Sequence, residues 1–455
     1  MNSAFFSDLL STISERGRTL LRLKAWPQDA AGRAGSLIDL CRALLSGRGE
    51  ASGLAMAAEV FARYRTLDDA GRAAFFAALA DEFGPDHDRL IAAMENWRAD
   101  PCDAVAASVH YASEPRRLEL FRRLNRAPGG TAALVGMRAD LLEELRTNRE
   151  LTLVDRDFTH LFASWFNHGF LVLRRIDWST PANILERIIR YEAVHEIRDW
   201  NDLRRRIDPP DRRCYAFFHP ALVDEPLIFV EVALVEAIPG AIAPLLAGER
   251  VQVSPERART AVFYSISNCQ RGLAGVTFGN FLIKQVVEEL RRELPRVETF
   301  VTLSPVPGFR AWLAKTNEAP ADADARAQVD AIDDPAWTMD PEAAERLRRI
   351  VEPLAAHYFL KARTLDGRVV DPVARFHLGN GARLERIDWM GDLSGKGLKE
   401  SAGVMVNYLY DLDDIEKNHE TFANQNEVVA SGAVKRLLKG ERAIFGIAAP
   451  SFSQG

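Results

Sequence analysis

Three stretches of this 455-residue chain hold side chains whose types and spacing suit chemistry. The first, AVFYSISNCQRGLAGVTFGNFLIKQVVEELRREL, runs from Ala261 to Leu294. It reads as a strand over Ala261 to Ser267, a loop with Gly272, Gly275 and Gly279, and a helix marked by Phe281, Ile283, Val286, Val287, Leu290 and Leu294. Such a unit aims backbone N–H groups at phosphate. The helix start carries unpaired donors and partial positive charge, and glycine lets a ligand approach closely. The spacing G-x-x-G-x-x-x-G matches neither G-x-G-x-x-G nor a P-loop, so it indicates neither a nicotinamide cofactor nor ATP. The pyrophosphate of another ligand, such as coenzyme A, stays open. The second stretch, TLSPVPGF, puts Ser304 at the end of a buried strand, where Pro305 and Pro307 deny the chain further ladder bonds. The third is DPVARFHLGNGARLERIDWMGD, Asp371 to Asp392. Alternation through Val373, Arg375 and His377 reads as one arm of a hairpin that turns at Gly379-Asn380-Gly381 into a strand over Leu384 to Asp388.

Each has a plainer reading beside it. Glycines between strand and helix are more often turn chemistry, Ser304 could cap the Pro-Val-Pro turn, and a lone His377 between Phe376 and Leu378 is more often a satisfied core group. Other chemistries find less support. His195-Glu196 is followed by Asp199 where H-E-x-x-H needs histidine, and His160 and His168 have no carboxylate at ligand spacing, which argues against a metal. No G-x-S-x-G elbow is present. Cys41, Cys102, Cys214 and Cys269 lie too far apart for a zinc site or a disulfide scaffold.

The elements that would carry these groups follow from periodicity. Residues 1–154 read as successive helices forming a structural or oligomerising bundle. Leu37, Leu40, Cys41, Leu44 and Leu45 make one stripe between a Ser36 cap and a Gly47 stop, and another helix starts at Ser113 and ends before Pro128. Residues 155–455 read as an α/β or α+β domain. Its strands are expected at Phe170–Leu173, Cys214–Phe218, Leu227–Val235, Ala261–Ser267, Phe300–Ser304 and Leu384–Asp388, with a helix over Glu342–Tyr358. The Ala-, Asp- and Pro-rich segment from Lys315 to Pro341 reads as a surface excursion that tolerates deletion.

With 47% hydrophobic residues the chain has ample material for packed cores. Its 58 Lys and Arg against 64 Asp and Glu give a formal net charge of −6, without the basic field that holds nucleic acid. The most apolar run, Leu227 to Gly248, contains Glu231, Glu236, Pro239 and Pro244 and reads as no membrane span. The Arg-bearing start, MNSAFFSDLLSTISERGRTLLRLKAW, has Asp8 and Glu15 and reads as an ordinary helix, so the cytoplasm is the expected location.

Taken together, these residues resemble the malonyl-CoA decarboxylase family. The likeness rests on FYSISNCQRGLAGVTFGNFLIKQVVEELRRELP, TLSPVPGFRAWL, DPVARFHLGNGARLERIDWMGDLSGKG and GVMVNYLY. WFNHGFLVLRRIDWSTP, YEAVHEIRDWNDLRRRID, RRCYAFFHP and EPLIFVEVAL support it upstream. The resemblance implies a helical bundle followed by a GNAT-like acyl-CoA-binding catalytic domain, whose mixed sheet opens as a V. It assigns the coenzyme-A loop to Ala274, Gly275, Val276, Thr277, Phe278, Gly279 and Asn280, and an active-site pair to Ser304, as proton acceptor, and His377, as proton donor. Ser265 and Tyr410 lie in matching motifs as further candidates for bonding substrate or aligning the pair. The implied enzyme is a lyase of fatty-acid and malonate metabolism that converts malonyl-CoA to acetyl-CoA and CO2, with no cofactor beyond the thioester itself. Its implied assembly is a homo-oligomer, a tetramer being one form. Two rivals stand beside it: an N-acyltransferase using acyl-CoA, and a non-catalytic acyl-CoA sensor. Loss of CO2 from an ionised malonyl group needs no base, so chemistry favours a Ser304 that orients the carboxylate or the thioester oxygen.

Overall fold

The computed structural model describes residues 33–46, 49–276, 282–315 and 331–445. They pack into two compact units. One comprises the chain up to Val172 with Phe218–Leu227 and the stretch from Cys269; the other comprises Leu173–Phe217, Ile228–Asn268 and the chain beyond the glycine loop.

The first unit is helical: α1 (Arg33–Leu45), α2 (Glu50–Tyr64), α3 (Asp69–Asp81), α4 (His87–Ala99), α5 (Asp103–Ser113), α6 (Arg116–Asn125), α7 (Gly130–Glu144) and α8 (Thr152–Trp165). The α1 stripe is buried, with Leu37, Leu40, Cys41 and Leu44 all sealed in the core. Ser36 falls inside α1 rather than at its cap, and Gly47 lies outside the described residues. Ser113 ends α5 instead of starting a helix. Glu114 precedes a proline and is extended (ψ 125°), so the chain leaves the helical region there and Pro115 takes the N-cap position of α6.

The second unit is built on a mixed sheet. Its strands are β1 (Val172–Ile176), β2 (Arg212–Phe218), β3 (Pro226–Val235), β4 (Thr260–Asn268), β5 (Thr299–Thr302), β6 (Ser304–Pro305), β7 (Arg383–Asp388) and β8 (Met405–Leu409). The order is β1-β2-β3-β4-β5-β8-β6, with β7 also pairing β8. β4 and β5 are parallel, whereas β3–β4 and the pairs made by β8 are antiparallel. The helices are α9 (Ala182–Tyr191), α10 (Trp200–Ile207), α11 (Ala243–Leu246), α12 (Leu282–Glu293), α13 (Phe309–Lys315), α14 (Pro341–Leu360), α15 (Pro372–Gly379), α16 (Gly395–Ser401), α17 (Ile415–Gln425) and α18 (Gly432–Phe445).

Four expectations need correction. Phe170 belongs to a 3-10 turn and is exposed, so β1 starts later than periodicity suggests. The expected strand Phe300–Ser304 is broken at Leu303 into β5 and β6. Val373, Arg375 and His377 lie on helix α15, not on a hairpin arm: Asp371 caps it by accepting from the Ala374 N–H at 2.7 Å, and Pro372 occupies its first turn. Five residues of alternation could not outweigh that start signal. The far end of the Lys315–Pro341 segment is not a surface excursion either. Ile332 and Trp337 are buried, and Trp337 stacks on Trp389 at 5.0 Å.

Candidate active site

The parting of β4 from β5 makes the site. The two strands pair from Thr260–Thr299 to Phe263–Thr302, and the Leu303 N–H still donates to the Phe263 carbonyl at 3.0 Å. Beyond that, β4 continues to Asn268 while the chain bends at Leu303 and β6 joins β8 through Ser304–Val406. The parallel pairing of β4 with β5 therefore ends at Phe263 and Thr302, and the two strands part there.

Ser304 stands at the bend. Its Oγ–H donates to Thr302 Oγ1 at 2.9 Å, and its Oγ lies 3.1 Å from His377 Nε2. His377 Nδ1 lies 2.8 Å from the Tyr410 hydroxyl, just past β8. The Tyr408 ring stacks on the imidazole at 4.5 Å and holds its plane. Thr302 is fixed in turn, because its Oγ1 accepts from the Tyr408 N–H at 3.2 Å and its carbonyl accepts from Asn407 at 2.8 Å. With the Ser304 hydrogen directed at Thr302, the bonding pattern places the imidazole hydrogen on Nε2 and makes Nδ1 the acceptor from Tyr410. Burial pushes His377 down to about 3 and both tyrosines up, so imidazole and phenols are neutral. Gly381 sets the exit from α15. At φ +83° it adopts a conformation side chains rarely take, and a Cβ there would meet the Ile415 carbonyl at 2.3 Å.

The depressed His377 value makes a stability prediction. An unfolded chain binds a proton on this ring below pH ~6.5, and the folded one does not until about pH 3, so stability is full above ~6.5 and falls as pH drops through that window. Urea midpoints measured between pH 7.5 and 4.5 are expected to fall less steeply in His377→Gln than in wild type. Equal slopes would contradict the buried neutral imidazole.

Ser265 is not part of this chain of bonds. Its hydroxyl is held by Glu192 at 2.7 and 2.8 Å, and Glu192 Oε1 also accepts from the N–H groups of Val194 and His195. Next to it on β3 lies Glu231, fully buried, with one oxygen 3.1 Å from Arg206. Burial, followed by the Glu192 charge, pushes Glu231 up to about 8, while Arg206 pulls the other way. Thr302, Tyr408, Glu192, His195 and Arg206 were not singled out from sequence, although each lies in a stretch that carries the resemblance: Thr302 in TLSPVPGFRAWL, Tyr408 in GVMVNYLY, and the other three in YEAVHEIRDWNDLRRRID, where only a metal motif was weighed.

Of the expected coenzyme-A loop, Thr277, Phe278, Gly279 and Asn280 lie outside the described residues. Ala274, Gly275 and Val276 follow a 3-10 turn held by buried Arg138, which donates to the Gly272 and Ala274 carbonyls, both at 2.8 Å, and pairs with Asp155. Gly275 has φ +74°, and nothing lies within 4 Å of where its Cβ would be.

Comparisons with known proteins bear on this geometry. Residues 169–446 match the model of the malonyl-CoA decarboxylase C-terminal domain, and residues 83–166 that of the N-terminal domain. The mitochondrial malonyl-CoA decarboxylase of the goose Anser anser anser is 36% identical over 415 residues, covering 82% of this chain and 81% of that protein. The crystal structure of malonyl-CoA decarboxylase from Rhodopseudomonas palustris is 58% identical with a TM-score of 0.86, covering 89% of this chain and 99% of its own. That from Agrobacterium vitis is 55% identical with a TM-score of 0.84, covering 88% and 99%. With both of its domain models matched in order, and with relatives this similar along most of its length, the chain belongs to the malonyl-CoA decarboxylase family of enzymes.

Proposed function

We propose that this protein converts malonyl-CoA to acetyl-CoA and CO2 through a thioester enolate, at the opening between β4 and β5. The observation that carries this reading is the buried Ser304–His377–Tyr410 contact at the point where the strands part. The thioester is the electron sink: the pair of the breaking C–C bond enters the enolate, whose oxygen needs preorganised donors and whose α-carbon needs a proton. His377 presents Nε2–H for that purpose and Ser304 orients the carboxylate or thioester oxygen. Tyr410 fixes the ring tautomer and offers Nδ1 a proton as Nε2 gives one up. A histidine this deeply buried does not act as a resting imidazolium, so the donor is the neutral ring backed by Tyr410.

The reading includes a coenzyme-A loop at Ala274–Asn280, a structural helical part over residues 1–154 and a catalytic part over 155–455. Gly275→Val is expected to weaken coenzyme-A binding about tenfold or more. Its positive φ strains a branched residue, and the new side chain fills open space a phosphate would need. Calorimetric titration with coenzyme A checks this, and unchanged affinity would place the phosphates elsewhere. A homo-oligomer is supported by Ile91, Met94, Trp97 and Tyr111, exposed on α4 and α5. Four cysteine thiols, three of them buried, fit a reducing compartment such as the cytoplasm.

Incubation of the purified protein with malonyl-CoA, without added acceptor, tests the reaction. Equimolar acetyl-CoA and CO2 are expected. Binding without CO2 release would move the function to acyl transfer or sensing.

A further inference from the structure

Decarboxylation of malonyl-CoA consumes one proton per turnover, because a carboxylate leaves as neutral CO2 and a C–H bond replaces the C–C bond. Among the described residues, the hydrogen bonds of the Ser304 chain do not lead that proton in from solvent. Thr302, Ser304, His377 and Tyr410 are each no more than 5% exposed, and they bond chiefly to one another.

His195 is placed differently. The backbone on both sides of it is clamped by charged groups. Its N–H donates to Glu192 at 2.7 Å, its carbonyl accepts from Arg206 at 2.7 Å, and the Glu196 carbonyl accepts from the same guanidinium at 2.8 Å. The Tyr264 backbone lies close enough to its ring to favour the charged form. Tyr264 is the residue that bulges from the β3–β4 ladder, since Glu231 pairs with Ser265 and Val232 with Phe263. That bulge sits immediately beyond Phe263, where β4 and β5 separate. The Nε2 atom of His195 is buried and has no hydrogen-bond partner among the described residues. The residue lines a cavity of about 10 Å³, at the lower limit for one water, together with Pro305 and Val306, which directly follow Ser304. Asp392, Lys396 and Glu400 line its other side, and Lys396 is exposed.

We infer that His195 is the proton inlet of this site, taking a proton from solvent on Nε2 and passing it through one water toward Ser304 and His377. The inference rests on the decarboxylase reading. The Nε2 lone pair binds a proton from hydronium. When the C–CO2 bond breaks, its electron pair enters the enolate and the α-carbon takes the Nε2 proton of His377. The His195 imidazolium then returns a proton through water and the Ser304 hydroxyl, and both imidazoles end neutral. Burial pushes His195 down to about 4, so the ring is unloaded at rest and holds the proton only in transit. Asp392 favours the loaded form and Arg206 and Lys396 oppose it. Glu192 bonds its backbone, and Glu400 shares its cavity.

The test is steady-state turnover of malonyl-CoA by wild type, His195→Ala and His195→Gln, with and without added imidazole. His195→Ala is expected to lose about 10²-fold in kcat with KM within about twofold of wild type. Imidazole should restore its turnover, more strongly at pH 6 than at pH 8 because imidazolium is the donor. His195→Gln keeps a polar side chain of similar bulk but carries no titratable proton, and is expected to show the same loss while melting like wild type. Undiminished kcat in either folded variant, a loss confined to KM, or a kcat loss that imidazole does not relieve would each overturn the inlet while wild-type decarboxylation stands. A wild type that forms no acetyl-CoA would overturn the decarboxylase reading itself.

Discussion

His377→Ala is expected to lower kcat for malonyl-CoA by about 10² to 10⁴-fold, the range for a positioned acid or base, with KM changed far less. The ring bonds Ser304 on one side and Tyr410 on the other, so its removal takes away the Nε2 donor and leaves two buried hydroxyls without their partner. Some stability goes with it, because a stacked, fully enclosed imidazole leaves a cavity beside Tyr408. His377→Gln separates the effects: its amide can still donate toward Ser304 and fills more of the space, but it cannot relay a proton from Tyr410. Both variants should bind coenzyme A and keep their circular dichroism while losing turnover. A folded variant turning over at a rate near wild type would remove His377 from the reaction.

Arg206→Ala is expected to destabilise the fold by about 3–5 kcal/mol at pH values where Glu231 must ionise, the usual consequence of leaving a buried charge without its partner. Glu231 is completely enclosed between β3 and its neighbours, and Arg206 is the cation that faces it at 3.1 Å. The same substitution strips the donors from the His195 and Glu196 carbonyls. The pH dependence has a definite sign. Burial raises the Glu231 carboxyl above its unfolded value, and removing Arg206 takes away the largest influence that opposes the rise. Stability in the variant is therefore retained at low pH, where the acid is neutral, and lost as pH climbs through the raised value. Chemical denaturation at pH 6 and pH 8 measures this, and Arg206→Ala combined with Glu231→Gln should recover part of the loss. A single variant as stable as wild type at pH 8, or a double variant no better than the single, would show that the pair is not coupled.

Much of the fold was legible locally. The helix α12 between Leu282 and Glu293 follows from apolar positions three and four apart, and β2, β3 and β4 follow from β-branched and aromatic runs bounded by turn residues. The errors came where two periods overlap. Val373, Arg375 and His377 satisfy an alternation over five residues that a helix face tolerates equally well, and the cap at Asp371 decided the outcome. The strand break at Leu303 was invisible for a different reason, since it depends on β8 offering β6 a partner from about 100 residues away.

The candidate pair shows the same division. Residue type and spacing made Ser304 and His377 candidates with plainer readings beside them, as a turn cap and a core histidine, and the family resemblance made them a pair. Only tertiary structure brings them to 3.1 Å, backs His377 with Tyr410, and encloses the ring so that it is neutral. Glu192, His195 and Arg206 come together with Ser265 and Glu231 from separate segments, a grouping that no one of those segments shows by itself. Sequence determined the elements and the reactive groups, because helix periodicity, strand alternation and proline and glycine geometry act over a few residues. Tertiary structure decided partners, tautomer and protonation, because burial and hydrogen bonding depend on which distant side chains the β4–β5 opening gathers.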